Sequence, residues 1–126
     1  MLGGYLAVFV GGGIGAALRH GVNRASLAWS GPAFPYGTLF VNLAGAMAIG
    51  VLAELFLVKG GGSQDFRLFL TTGLLGGFTT FSAFSLESAL MWQRGDHAAF
   101  AAYVFGSVVL SIAAVFLGMA AARVLA

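Results

Sequence analysis

The chain has 126 residues, of which 60% are hydrophobic and only 8% charged, and its formal net charge is +2. A mean hydropathy of +0.96 excludes a soluble domain, because four apolar runs reach the roughly 20 residues that a helix needs to cross about 30 Å of hydrocarbon. Two surplus positive charges are too few to indicate nucleic-acid binding, and the absence of cysteine excludes disulfides and thiolate-bound metals.

The pattern predicts an all-α membrane protein with spans at about 2–24, 35–58, 66–92 and 98–124, forming one domain over residues 1–126. No basic segment precedes Leu2, and Gly11-Gly12-Gly13 falls inside the first span, so a cleaved leader is not expected. That span ends its small-residue run Gly11-Gly12-Gly13-Ile14-Gly15-Ala16-Ala17-Leu18 on Arg19. The arginine reads either as a charge drawing anions into a vestibule or as a snorkelling anchor.

In the second span Asn42 sits within Gly37-Thr38-Leu39-Phe40-Val41-Asn42-Leu43-Ala44-Gly45. A polar side chain in lipid is costly without a partner. Its amide therefore serves an interhelical bond or a pore wall. Glu54 reads as a span-end residue.

The third span is the unusual one. Between Gly73 and Ser85 it holds Gly73, Gly76 and Gly77, the hydroxyls of Thr79, Thr80, Ser82 and Ser85, and Phe78, Phe81 and Phe84. Each glycine lowers helix propensity by about 1 kcal/mol relative to alanine, and the neighbouring threonines compete for backbone bonds. A break near residues 76–80 is expected. Lipid cannot hydrate the groups a break would free, so such backbone survives only against protein or an aqueous cavity. Freed carbonyls suit a hard cation, whereas amide and hydroxyl donors and the electropositive ring edges of phenylalanine suit an anion. Glu87 follows three residues after Phe84, and an intramembrane acid is a functional suspect.

In the fourth span Tyr103, Ser107 and Ser111 recur every four residues on one face, either as a packing seam or as a donor-lined track. Lys59, Arg67 and Arg123 fall on one side of the membrane, and Arg19, Arg24 and Arg94 on the other, three against three. Orientation follows the lysine and arginine bias. A tie predicts insertion both ways and an antiparallel, dual-topology homodimer. The pairs Gly11/Gly15, Ala46/Gly50, Gly73/Gly77 and Gly118/Ala122 offer close-approach surfaces for association. No nucleophile–base pair, P-loop or HExxH motif occurs, so the chain is not expected to be an enzyme.

Gly76-Gly77-Phe78-Thr79-Thr80-Phe81-Ser82-Ala83-Phe84-Ser85-Leu86-Glu87 closely resembles the signature of the Fluc (CrcB) fluoride channel family, and the first- and second-span motifs match at the expected places. The resemblance covers all four spans. It implies a dual-topology homodimer in the cell membrane, with two fluoride pores and one structural sodium ion at the dimer interface. By resemblance, the backbone carbonyls of Gly76 and Thr79 hold the sodium, and Phe81, Phe84 and Asn42 line the pore. Thr80 lies near it, Tyr103, Ser107 and Ser111 form a polar track, and Arg19 and Glu87 occupy vestibule or pore-flanking positions. Ala83 stands where the family often has threonine. The implied function is passive export of fluoride from a bacterial cell across its inner membrane. The alternative class is a small dual-topology, proton-coupled multidrug exporter, which needs a membrane-embedded acid.

Overall fold

The structure, a computed structural model, describes residues 1–125 and is helical, with no strand among them. Helix α1 runs Leu2–Ser30 and α2 runs Tyr36–Lys59. The third span comprises α3 (Gln64–Leu68), a π-helical segment (Phe69–Leu75), the single turn α4 (Gly76–Phe78) and α5 (Phe81–Gln93). Helix α6, His97–Leu125, completes the chain. All four stretches are long and apolar enough to cross a membrane.

Helix α1 extends six residues past the expected end at about residue 24. Arg24 is a good helix former, and nothing between it and Gly31-Pro32 interrupts the backbone. Gly31 then takes φ 71°, its N–H still bonded to the Leu27 carbonyl, and Pro32 cannot continue the helix. Arg19 and Arg24 are consequently helical rather than part of a loop. Helix α2 ends on Gly60 in the left-handed conformation that glycine adopts without strain. The turn is fastened by Arg67, whose Nη2 and Nε donate to the carbonyls of Gly60 and Gly61 at 2.6 and 3.1 Å. Ser63 caps α3 by accepting the Phe66 N–H.

Packing follows the glycines. A Cβ on Gly50 would overlap the Val115 carbonyl, and one on Gly118 would overlap the Met47 carbonyl, so α2 and α6 run in backbone contact. In the same way Gly11 and Gly15 of α1 lie against the backbone at Phe69 and Leu74, and Gly77 lies against Gly12. Glycines expected to serve association between copies are thus largely occupied inside the chain. Large apolar side chains such as Phe9, Phe105, Phe116 and Leu117 point outward, as a lipid-facing surface requires. The small interior core gathers Phe84, Met91 and Tyr103.

Candidate functional site

The third span loses helical geometry at two residues. Thr79 (φ −90°, ψ 159°) and Thr80 (φ −155°, ψ 125°) are extended, between α4 and α5. In a continuous helix the Thr80 N–H would bond the Gly76 carbonyl. Here it donates to Asn42 Oδ1 at 2.8 Å, while Asn42 Nδ2 donates to the Thr80 carbonyl at 3.0 Å. The two bonds fix the amide orientation, because the flipped form would set donor against donor and acceptor against acceptor. One hydrogen of Nδ2 is left over. The Gly77 carbonyl accepts from Arg19 Nε at 3.0 Å. Thr80 Oγ1 caps α5 through the Ala83 N–H at 3.2 Å, so one threonine both leaves one helix and starts the next. The Gly77 carbonyl, both backbone groups of Thr80 and the Ala83 N–H thus have side-chain partners from α1, α2 or Thr80 itself, whereas the Gly76 carbonyl has lost its helical donor.

Beside the extended pair lies an open cavity of about 570 Å³. Asn42, Gly76, Thr79, Thr80, Phe81, Phe84, Ser107 and Ser111 all line it, together with Ala46, Ile49 and Thr71. None of its lining side chains carries a charge. Phe81 is 77% exposed and stands at the rim, whereas Phe84 is buried, their ring centroids 5.4 Å apart. The aromatic series continues inward from Phe84 to Tyr103 at 5.1 Å and on to Phe34 at 5.5 Å. Ser107 Oγ is buried with no hydrogen-bond partner among the described residues. An orphaned hydroxyl in such a wall is a free donor for a ligand.

Three of the residues named from sequence stand elsewhere. Tyr103 is buried, and its hydroxyl donates to Glu87 Oε1 at 2.9 Å. Thr38 Oγ1 donates to Glu87 Oε2, also at 2.9 Å. Glu87 and Thr38 face a second cavity of about 290 Å³, with Asn23, Ser26 and Arg94 in its wall. Tyr103 therefore parts company with Ser107 and Ser111 despite their common spacing. Arg19 lines neither cavity. Thr38 is the residue that sequence reasoning passed over, although it lies four positions before Asn42 and so on the same helical face. Glu54 is buried rather than terminal in character and pairs with Arg123 Nε at 3.0 Å.

Four apolar spans around an uncharged, donor-bearing cavity, with backbone groups of one span satisfied by its neighbours, define a multi-pass membrane protein. The profile of the family described as CrcB-like protein, Camphor Resistance (CrcB), matches residues 6–119. The chain is 54% identical over 119 residues to the fluoride-specific ion channel FluC of Rhodopseudomonas palustris (strain BisB5), covering 94% of this chain and 96% of that one. It is 57% identical over 118 residues to the protein of the same name from Methylobacterium nodulans, covering 94% of each. A third relative of that name, from Granulibacter bethesdensis, is 50% identical over 121 residues, 96% of this chain and 95% of its own. The chain belongs to the CrcB family and is a multi-pass protein of the bacterial cell membrane.

Proposed function

We propose that this protein is a fluoride-selective ion channel that exports fluoride passively from the cell. The observation that carries the reading is the uncharged cavity beside Thr79 and Thr80, which Asn42, with its N–H donor in fixed orientation, lines together with Phe81, Phe84 and Ser107, whose hydroxyl is free. Fluoride is small and strongly hydrated, so a pore must replace its water with close donors. Ring edges attract an anion weakly, and with no charged side chain in the wall the ion meets no cationic group there that would trap it. Conduction needs binding that is favourable but shallow. Fluoride enters cells as neutral HF in acid surroundings and dissociates inside, and a channel lets the ion leave down its gradient. The relatives' names supply the identity of the ion.

The pore we assign consists of Asn42, Thr80, Phe81, Phe84, Ser107 and Ser111, with Tyr103 behind Phe84 and Glu87 and Arg19 flanking. The cavity is open on one side, and Phe81 is exposed at its rim, which supports closure by a second copy in antiparallel orientation. Gly76 and Thr79 line the same open face, and the Thr80 N–H that would have occupied the Gly76 carbonyl is turned away to Asn42. That donor chemistry fits a sodium ion held by the two carbonyls of each copy. Bound there, sodium would supply a fixed positive charge and tie the copies together. The exporter alternative needs a free acid in the membrane, whereas both oxygens of Glu87 already accept hydrogen bonds from Thr38 and Tyr103.

Purified protein in vesicles loaded with potassium fluoride and potassium chloride, with potassium permeability supplied by an ionophore, tests the function. A fluoride electrode should record rapid discharge while chloride stays inside; comparable chloride efflux would refute the assignment. The antiparallel arrangement has its own test. The chain contains no cysteine, and a side chain at Gly61 would meet open space. Gly61→Cys in cell membranes should be labelled by an impermeant maleimide to about half its total from each side, since neither orientation is preferred. Labelling from one side alone would rule out dual topology.

A further inference from the structure

We infer that Arg19 is a positioning residue that acts as a neutral-type N–H donor to the Gly77 carbonyl, and that its positive charge is not what the channel uses. The inference rests on the channel reading above. In an unbroken helix the Gly77 carbonyl would receive the Phe81 N–H. The extended Thr79 and Thr80 carry that N–H away, leaving an acceptor at membrane depth where water cannot serve it. Arg19 Nε supplies the bond at 3.0 Å across 58 positions of sequence. Glycines make the reach possible: Gly15, one turn before Arg19, lies against the Leu74 carbonyl, and Gly77 lies against Gly12. Any side chain at these positions would push α1 away from the third span and lengthen the bond.

The consequence is a partition of carbonyls. The Gly77 carbonyl is held toward α1 by Arg19, and that of Thr80 toward α2 by Asn42, while Gly76 and Thr79 are the residues of the break that line the open cavity. Without Arg19 the Gly77 peptide can rotate to seek another donor, and the groups exposed to the cavity change. Arg19 itself touches no wall of either cavity, so its effect on conduction runs through the peptide it holds.

The side chains available make a clean test. Glutamine places its amide nitrogen at the same distance along the chain as Arg Nε, with no charge, and methionine places a methyl there. Arg19→Gln should keep fluoride efflux to within about threefold of wild type, and Arg19→Met should lose about tenfold or more, the range expected for an unmet buried acceptor. Efflux is read at two ionic strengths, because a charge that gathers anions loses its effect as salt screens it. A structural readout accompanies the flux. Gly77-Phe78 is the only Gly-Phe step in the sequence. Labelling glycine with carbonyl ¹³C and phenylalanine with ¹⁵N therefore isolates one carbonyl signal in solid-state NMR. That signal should stay in place in Arg19→Gln and move in Arg19→Met. Equal loss of flux in both variants, restored toward wild type only by lysine and erased at high salt, would overturn the inference. So would a Gly77 signal that Arg19→Met leaves unmoved. Wild-type protein without fluoride flux would count against the channel reading while the carbonyl signal still tested the bond. If Arg19→Met does not fold, a displaced Gly77 signal in Arg19→Gln would by itself contradict the proposal.

Discussion

The α2–α6 pair and the pair made by α1 with the third span are both closed by glycine, yet only the second carries extended residues. Gly50 and Gly118 bring two regular helices together, and each helix keeps its own backbone bonds. Gly11, Gly15 and Gly77 bring α1 equally close to a span whose bonds are partly handed to its neighbours, through Arg19, Asn42 and the Thr80 cap. Close approach thus serves rigidity in one place. In the other it lets side chains of adjacent helices replace helical hydrogen bonds and so tolerate polar backbone in lipid. The π-helical segment Phe69–Leu75, also confined to the third span, belongs with this second use, since such segments concentrate at functional sites.

The largest expected effect comes from the rigid pair. Gly118→Leu puts a branched side chain into the Met47 backbone, which cannot yield, and should cost ~3 kcal/mol or more. Loss of monodisperse protein in detergent, or a steep fall in Tm, measures it. Next, Asn42→Ala leaves the part-buried Thr80 N–H and carbonyl without partners, at up to ~1–3 kcal/mol for each group. Thermal unfolding should register that destabilisation, and an unchanged Tm would show that the extended pair does not depend on α2. Phe81→Ile separates conduction from folding. The ring is 77% exposed in the single chain, so the fold of each copy should lose no more than the ~0.5 kcal/mol of an ordinary surface change, whatever the ring contributes against a second copy. Fluoride efflux should nonetheless fall at least about tenfold, a barrier increase of ~1.4 kcal/mol. The smallest effect is expected at Arg94→Ala. Its bond to Asp96 joins two half-exposed side chains and is worth at most ~0.5 kcal/mol.

The sequence made some of this legible and hid the rest for physical reasons. Hydropathy alone places four spans, because lipid demands long apolar helices whatever their packing. The end of α1 was less visible: Arg24 looks like a boundary, but charged side chains continue helices readily, and Gly31-Pro32 is the real stop. Asn42, Thr80, Phe81, Phe84, Ser107 and Ser111, singled out along three spans, come together on one cavity. Spacing placed Tyr103 with the two serines, since periodicity reports which face a residue occupies and not which partner its hydroxyl reaches. Glu87, sixteen positions away, takes that hydroxyl. The partners of the extended pair were the least legible of all. They lie 38 and 58 positions distant, where local propensity carries no information.

The central claim is that the uncharged cavity beside Thr79 and Thr80 is the route of fluoride. Its most direct test is fluoride efflux from vesicles reconstituted in parallel with wild type and with folded Asn42→Ala protein at equal density. Rapid efflux in the wild type and efflux near the protein-free background in the variant is the result the account requires. Wild-type efflux from vesicles carrying Asn42→Ala would contradict it.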